Sequence, residues 1–260
     1  MKKIVGKCKL CGLEKELTFE HVPPKGAIND TPSKRYSQAE IIQRLNETEW
    51  KIGIDFSKTR WERNQQKGNG GYYLCEDCNN NVGSWYMDEY ARTAKIFDEV
   101  IRAKQMQVND KISVTLKDVH PLRLIKAIMV MFCDILPEGS ISQGLRDYLL
   151  NRESRSFNVN EFGFFMYLAA PALHKENPLC LSVMNGGEIL EFSEIVRYPI
   201  GVQMVHKMPA AYKPDGVLIN QLAEYNYNES RNIRFEGIPY LNTESPFGND
   251  FRSLFSKNNK

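Results

Sequence analysis

The sequence predicts an α+β fold: a small metal-bound unit at the N-terminus, then helices, then an antiparallel sheet. Three observations carry that prediction. Two C-x-x-C pairs, Cys8/Cys11 and Cys75/Cys78, frame the first part of the chain. Apolar residues recur at helical spacing over 84–106 and again over 122–136. After residue 158 the period shortens to that of strands. With 260 residues, 42% hydrophobic and 25% charged, the chain can build a packed core and is long enough for a small domain joined to a larger one. The boundary is expected near residue 108.

The elements follow in order. Over 84–106, Trp85, Tyr86, Tyr90, Ile96, Phe97 and Ile101 mark a helix face, with Asp88 and Glu89 in the first turns where the dipole favours acids. Asn109-Asp110 makes a turn, and Ile112, Val114 and Leu116 alternate as a strand. His120-Pro121 opens a second helix, apolar on most faces, which Pro137 and Gly139 stop. A third helix is expected over 142–151. Short apolar runs over 162–170, 179–184, 189–192, 195–198 and 200–205 read as strands, and Asn185-Gly186-Gly187 as a hairpin turn. From Tyr225 the chain is rich in Asn, Ser and Gly and is expected to be extended or loosely ordered. No repeat or low-complexity tract interrupts it.

Net charge is +2, which excludes a protein held to nucleic acid by bulk charge. The balance is local: residues 1–67 carry 14 basic and 9 acidic side chains. The basic excess peaks at Lys58, Arg60, Arg63 and Lys67, with Trp61 among them, just before the flexible Gly68-Asn69-Gly70-Gly71. No secretory leader and no run of eighteen apolar residues is visible, so a cytoplasmic protein without a membrane span is expected. Thiols stay reduced there, and paired cysteines favour a metal over disulfides.

Two thiolates on one tight turn can reach the same Zn²⁺, and two such turns complete a closed, structural tetrahedral site. Between the pairs lies Leu17-Thr18-Phe19-Glu20-His21-Val22-Pro23-Pro24-Lys25-Gly26, where a short strand delivers an acid and a histidine before two prolines turn the chain. The second pair runs on as Cys78-Asn79-Asn80-Asn81, expected at or near a helix N-terminus. Capping explains any one of these asparagines but not three together.

C-x-x-C, E-H-x-x-P-K, then C-x-x-C-N-x-x-x-G resembles the HNH endonuclease family, whose ββα-metal core is a variant of the treble-clef zinc finger. The resemblance covers roughly residues 8–95. It implies an HNH-like nuclease domain over 1–108, with a basic insertion at about 30–68, and an α+β extension over 109–260. It also implies His21 as general base on water, Glu20 and Asn79 as ligands of a divalent cation, and Asn69 as the residue that orients the base. Three features depart from the family. The acid is Glu rather than the commoner Asp, Val82 stands where many members carry Lys, and the stretch from His21 to Cys75 is longer than usual. That insertion is either a substrate clamp or a solvated excursion.

Phosphodiester hydrolysis needs an activated water and charge stabilisation on the phosphate and the leaving oxygen. Imidazole is the side chain best suited to take a proton near neutrality. Oxygen ligands favour Mg²⁺ or Mn²⁺ at the second site, against Zn²⁺ on the thiolates. The helix from Ser84 is expected to aim backbone N–H groups at the phosphate. Lys25, Lys58, Arg60, Trp61, Arg63 and Lys67 are the expected nucleic-acid contacts. The reading is thus a metal-dependent DNA endonuclease, RNA being equally compatible with the chemistry. The rival is a zinc-stabilised nucleic-acid or protein-binding module with an inactive site. The extension resembles that of some stand-alone bacterial HNH proteins, several of which accompany defence against phage or mobile elements. It is open to sensing a signal, binding a protein partner or a second copy, or supporting the nuclease. His120, His174, His206, Cys133 and Cys180 are read as structural.

Overall fold

A computed structural model describes residues 3–35, 43, 46–47, 63–65, 68–155, 161–171, 174–183, 189–207, 214 and 216–243. It is a mixed α and β fold with two principal sheets around a central helix. The first sheet is small, in the order β1 (Val5–Lys7), β2 (Glu14–His21), β5 (Gly70–Cys75), all antiparallel. Leu17 faces Cys75 and His21 faces Gly70, with a one-residue slip between Thr18 and Phe19. Two short strands, β3 (Ser33–Arg35) and β4 (Arg63–Gln65), pair with each other in the insertion between β2 and β5.

A helical run leaves β5 without a break: α1 (Glu76–Val82), a wide π-type turn (Gly83–Met87), then α2 (Asp88–Lys104). The helix therefore begins eight residues before the expected Ser84. Cys75 is in extended conformation at the N-cap position, and Glu76 and Asp77 supply the acids of the first turn. Asn79–Asn81 lie inside the helix and cap nothing. Ser84 sits in the π turn, so its backbone N–H is not at a helix start, and the expected phosphate contact there is withdrawn. Gln105, in left-handed conformation, ends α2.

The second sheet has the order β6 (Lys111–Val119), β12 (Arg231–Leu241), β7 (Phe162–Ala169), β10 (Ile200–His206), β9 (Ile189–Arg197), β8 (Lys175–Val183), with β11 (Val217–Leu218) on β7. Helix α3 (Pro121–Ile135) is buried on nearly every side, and α4 (Gln143–Leu150) is capped by the Ser142 hydroxyl. Phe132 of α3 meets Phe164 of β7 with ring centroids 5.9 Å apart.

Two strand expectations change. The runs over 189–192 and 195–198 form one strand, β9, because its polar centre is satisfied in place. Ser193 donates to the Pro178 carbonyl at 2.6 Å, and Glu194 accepts from Tyr167 and pairs with Lys175. Of the chain after Tyr225, the described part is extended, but as strand β12 inside the sheet, antiparallel to β6 and parallel to β7; residues 244–260 lie outside the described residues. The sheet is thus not purely antiparallel. The hairpin residues 185–187 lie outside the described residues, although the strands on either side of them pair antiparallel.

One buried cluster runs from Cys8 to Tyr240. Specific bonds tie the first sheet to the rest. Lys9 donates to the Leu136 carbonyl at the end of α3 (2.6 Å). Tyr86 donates to Leu149 O (2.8 Å), and Arg197 of β9 donates to Ile28 O (2.8 Å). No helix among the described residues is long and apolar enough to cross a membrane.

Candidate metal centre and its surroundings

The first cysteine pair sits on the turn between β1 and β2. There Gly12, in left-handed conformation, donates its N–H to Cys8 O. The second pair spans the junction of β5 and α1, Cys75 ending the strand and Cys78 lying in the first helical turn. The four Sγ atoms all lie within 4.8 Å of one another, with Cys11 and Cys75 at 3.9 Å. A tetrahedron built on Zn–S bonds of about 2.3 Å has edges of roughly 3.8 Å. The cluster therefore could hold a metal ion such as zinc. The thiols also respond to one another: a hydrogen bond from Cys78, against the cost of burial, holds the Cys8 thiol below its ordinary range and pushes Cys78 upward. Four crowded sulfurs cannot all carry charge without a cation among them.

Asn79 follows Cys78 on α1 and faces β2. Its Nδ2 donates to Thr18 Oγ1 at 2.9 Å and its amide also hydrogen-bonds Glu20. Glu20 is buried, and loss of solvent raises its carboxyl to about 7, the Asn79 bond opposing. The structure thus brings Glu20 and Asn79 together. His21 is on the other face of β2: its ring meets Phe19 edge-on at 5.0 Å, as strand alternation requires when Thr18 and Glu20 share the face toward Asn79. The proline turn after His21 does not bring the acid and the histidine onto one face.

Asn69, the expected orienter of His21, is held by its backbone. Asn69 O accepts from Val22 N (3.2 Å) and from Asn29 Nδ2 (2.9 Å), while Asn69 N donates to Asn29 Oδ1 (2.8 Å). Asn29 Nδ2 also donates to Pro23 O. This fully buried asparagine, missed in the sequence, therefore locks the turn after His21 onto the entry to β5. The sequence signal was available in the glycines around Asn69. A Cβ on Gly68 would lie 2.1 Å from Asn29 O, and one on Gly70 would lie 2.0 Å from Glu20 O.

Lys25 is exposed on this turn. Lys58, Arg60, Trp61 and Lys67 lie outside the described residues, and Arg63 is described only by its pairing with Arg35. The residues read as structural are built in. His120 Nδ1 lies 3.0 Å from Glu89 Oε2 at the start of α3, and Cys133 is fully buried. His206 Nε2 meets Ser193 Oγ at 3.1 Å, but the Ser193 proton is already given to Pro178 O, so the pair is not an activated nucleophile.

Compared with protein-family models, curated proteins and solved structures, the chain matches none, so the chemistry rests on the site itself.

Proposed function

We propose that the chain is a metal-dependent endonuclease of the HNH type, built on a ββα treble-clef unit around a four-cysteine zinc site and hydrolysing phosphodiester bonds in DNA. One observation carries the reading: the four-cysteine cluster joins β5 to α1 so that Glu20 and Asn79 meet in hydrogen-bond contact. A carboxylate and an amide oxygen are hard donors, suited to Mg²⁺ or Mn²⁺. Such a cation supplies charge stabilisation to the phosphate and the leaving oxygen.

His21, the last residue of β2, takes the proton of the attacking water. The water oxygen bonds to phosphorus, the P–O3′ bond breaks, and the departing 3′-oxygen takes a proton from solvent, leaving a 5′-phosphate and a 3′-hydroxyl. Lys25, Lys58, Arg60, Arg63 and Lys67 contact flanking phosphates, and Trp61 offers a stacking surface. A cytoplasmic role in defence against phage or mobile DNA is the setting that the family likeness suggests. RNA is the alternative substrate, since hydrolysis itself does not read the 2′-hydroxyl.

A second reading, a zinc-stabilised binding module without catalysis, is favoured by the placement of Glu20 and His21 on opposite faces of β2. Supercoiled plasmid incubated with zinc-replete protein and Mg²⁺ or Mn²⁺ separates the two. The nuclease converts it to nicked circles, and His21→Ala slows this by about 100-fold or more. Binding without nicking, or an unimpaired His21→Ala variant, leaves the binding module.

A further inference from the structure

Ile28, in the turn after His21, has a backbone that its side chain disfavours. Its φ is +61°, a left-handed conformation that a β-branched residue keeps only where its surroundings impose it. The next residue is Asn29, whose amide bonds Pro23 O and both backbone groups of Asn69. The turn also lies close on α2: a Cβ on Gly26 would meet the Ala91 side chain at 3.1 Å.

The group that grips this turn comes from the extension. Arg197 is the last residue of β9 and is 3% exposed. Its Nε donates to Ile28 O at 2.8 Å, and its Nη2 donates to Thr31 Oγ1 at 3.2 Å. These two nitrogens share one edge of the guanidinium, a rigid planar fork. The chain is therefore held on both sides of Asn29. Stability alone does not account for the choice of residue. Nη1 is buried and makes no hydrogen bond among the described residues, and an apolar side chain in place of a buried charged one is often neutral or stabilising. What the fork adds is direction, since it fixes two acceptors three residues apart.

We infer that Arg197 is a positioning residue, through which the α+β extension sets the turn that fixes His21 at the end of β2. Each link is a bond. Arg197 holds Ile28 O, and Asn29 beside it bonds Asn69. Asn69 O in turn accepts from Val22 N at 3.2 Å, next to His21, and His21 pairs with Gly70. The family likeness places the whole reaction within the N-terminal unit. Arg197 lies outside that unit and acts on its backbone.

The catalytic part of the inference rests on the nuclease reading, and the test separates the two. Full-length, zinc-replete wild type, Arg197→Met and Arg197→Lys are compared, with zinc content and thermal melts recorded for each. Hydrogen–deuterium exchange follows the backbone N–H groups of Val22, Asn29 and Asn69, which bond Asn69 O, Lys25 O and Asn29 Oδ1. Plasmid nicking gives kcat and KM. Arg197→Met is expected to keep its zinc and its melt, while exchange at these amides quickens by about tenfold. Its kcat falls by about tenfold or more, with KM within about twofold of wild type. Arg197→Lys restores part of both, because it keeps the charge and the stem but not the fork. Unchanged exchange in a folded Arg197→Met protein overturns the inference, and so does loosened exchange with kcat intact. If both variants lose zinc and the cooperative melt, Arg197 is a general support and the positioning role is overturned. If exchange loosens in Arg197→Met but wild type nicks nothing, Arg197 still sets the turn and the nuclease reading falls instead.

Discussion

At the scale of single residues, the side chains that hold the site are not the ones that advertise chemistry. Asn29 is an unremarkable letter in a polar stretch, yet its amide makes hydrogen bonds to Pro23 O and to both backbone groups of Asn69. Asn29→Ala would strand the Asn69 N–H and leave Pro23 O short of a donor in a buried place, a cost of about 3 kcal/mol at 1–3 kcal/mol per orphaned group. His21 is half-exposed on a strand end, and His21→Ala should cost less than about 1 kcal/mol. Urea denaturation of the two variants measures both, and an Asn29→Ala protein as stable as wild type would remove the clamp from the account. The contrast shows what was legible. Cys8, Cys11, Cys75 and Cys78 were readable from their spacing, and Glu20 and Asn79 from the family resemblance; the structure gathers the four cysteines and puts Glu20 against Asn79. That Glu20 and His21 face opposite ways was open until the end of β2 was seen to stay paired, His21 on Gly70. Asn29 was invisible because its role depends on burial and on Asn69, 40 residues further along the chain.

At the scale of elements, helices with one apolar face were predictable and their ends were not. Alpha helices 3 and 4 lie where Pro121, Ser142 and the apolar period place them. The start of α1 was missed because cysteines and asparagines carry little helical preference, while tertiary constraint on Cys75 and Cys78 sets the first turn. The four-cysteine cluster is thus a structural element in its own right, joining a hairpin turn to a helix start. If it holds zinc as proposed, removing the ion should release both. Zinc-finger peptides gain about 10 kcal/mol or more from the ion at neutral pH, which is comparable with the whole stability of a domain. A strong chelator is therefore expected to lower the melting temperature sharply and to expose all four thiols to a thiol reagent. Because Lys9 carries the first turn onto the end of α3, the loss should spread beyond β1 and β2. Chelation that leaves the melt and the thiol reactivity unchanged would show the cluster to be mere proximity of four cysteines.

At the scale of the whole molecule, the decisive element is the last strand. Composition suggested that residues after Tyr225 are extended or loosely ordered, since Asn, Ser and Gly dominate the approach to β12. The alternation Ile233, Phe235 and the apolar Ile238, Tyr240, Leu241 is short and broken by Gly237, too weak a signal against that background. In the fold, β12 separates β6 from β7 and pairs with both. Asn109 donates to Tyr240 O at 2.7 Å, and Tyr240 returns a bond to Asp110 O at 2.8 Å. Phe235 meets Phe97 of α2 with centroids 6.1 Å apart, so the strand also touches the helix that continues from the metal-binding turn. Phe235, Ile238, Tyr240 and Leu241 are all buried. At about 2 kcal/mol for each buried apolar side chain, their loss alone removes roughly 8 kcal/mol, within the range of a domain's entire stability. It would also leave β6 without its described partner and open an edge on β7. A chain ending at Ser230 is therefore expected to lose cooperative thermal unfolding and to be digested rapidly by protease. Its cysteine cluster should lose zinc affinity as well, because the core that supports α2 and α3 is shared with the sheet. A truncated protein that melts sharply and retains zinc at full-length affinity would show instead that the N-terminal unit folds by itself, with β12 serving only the extension.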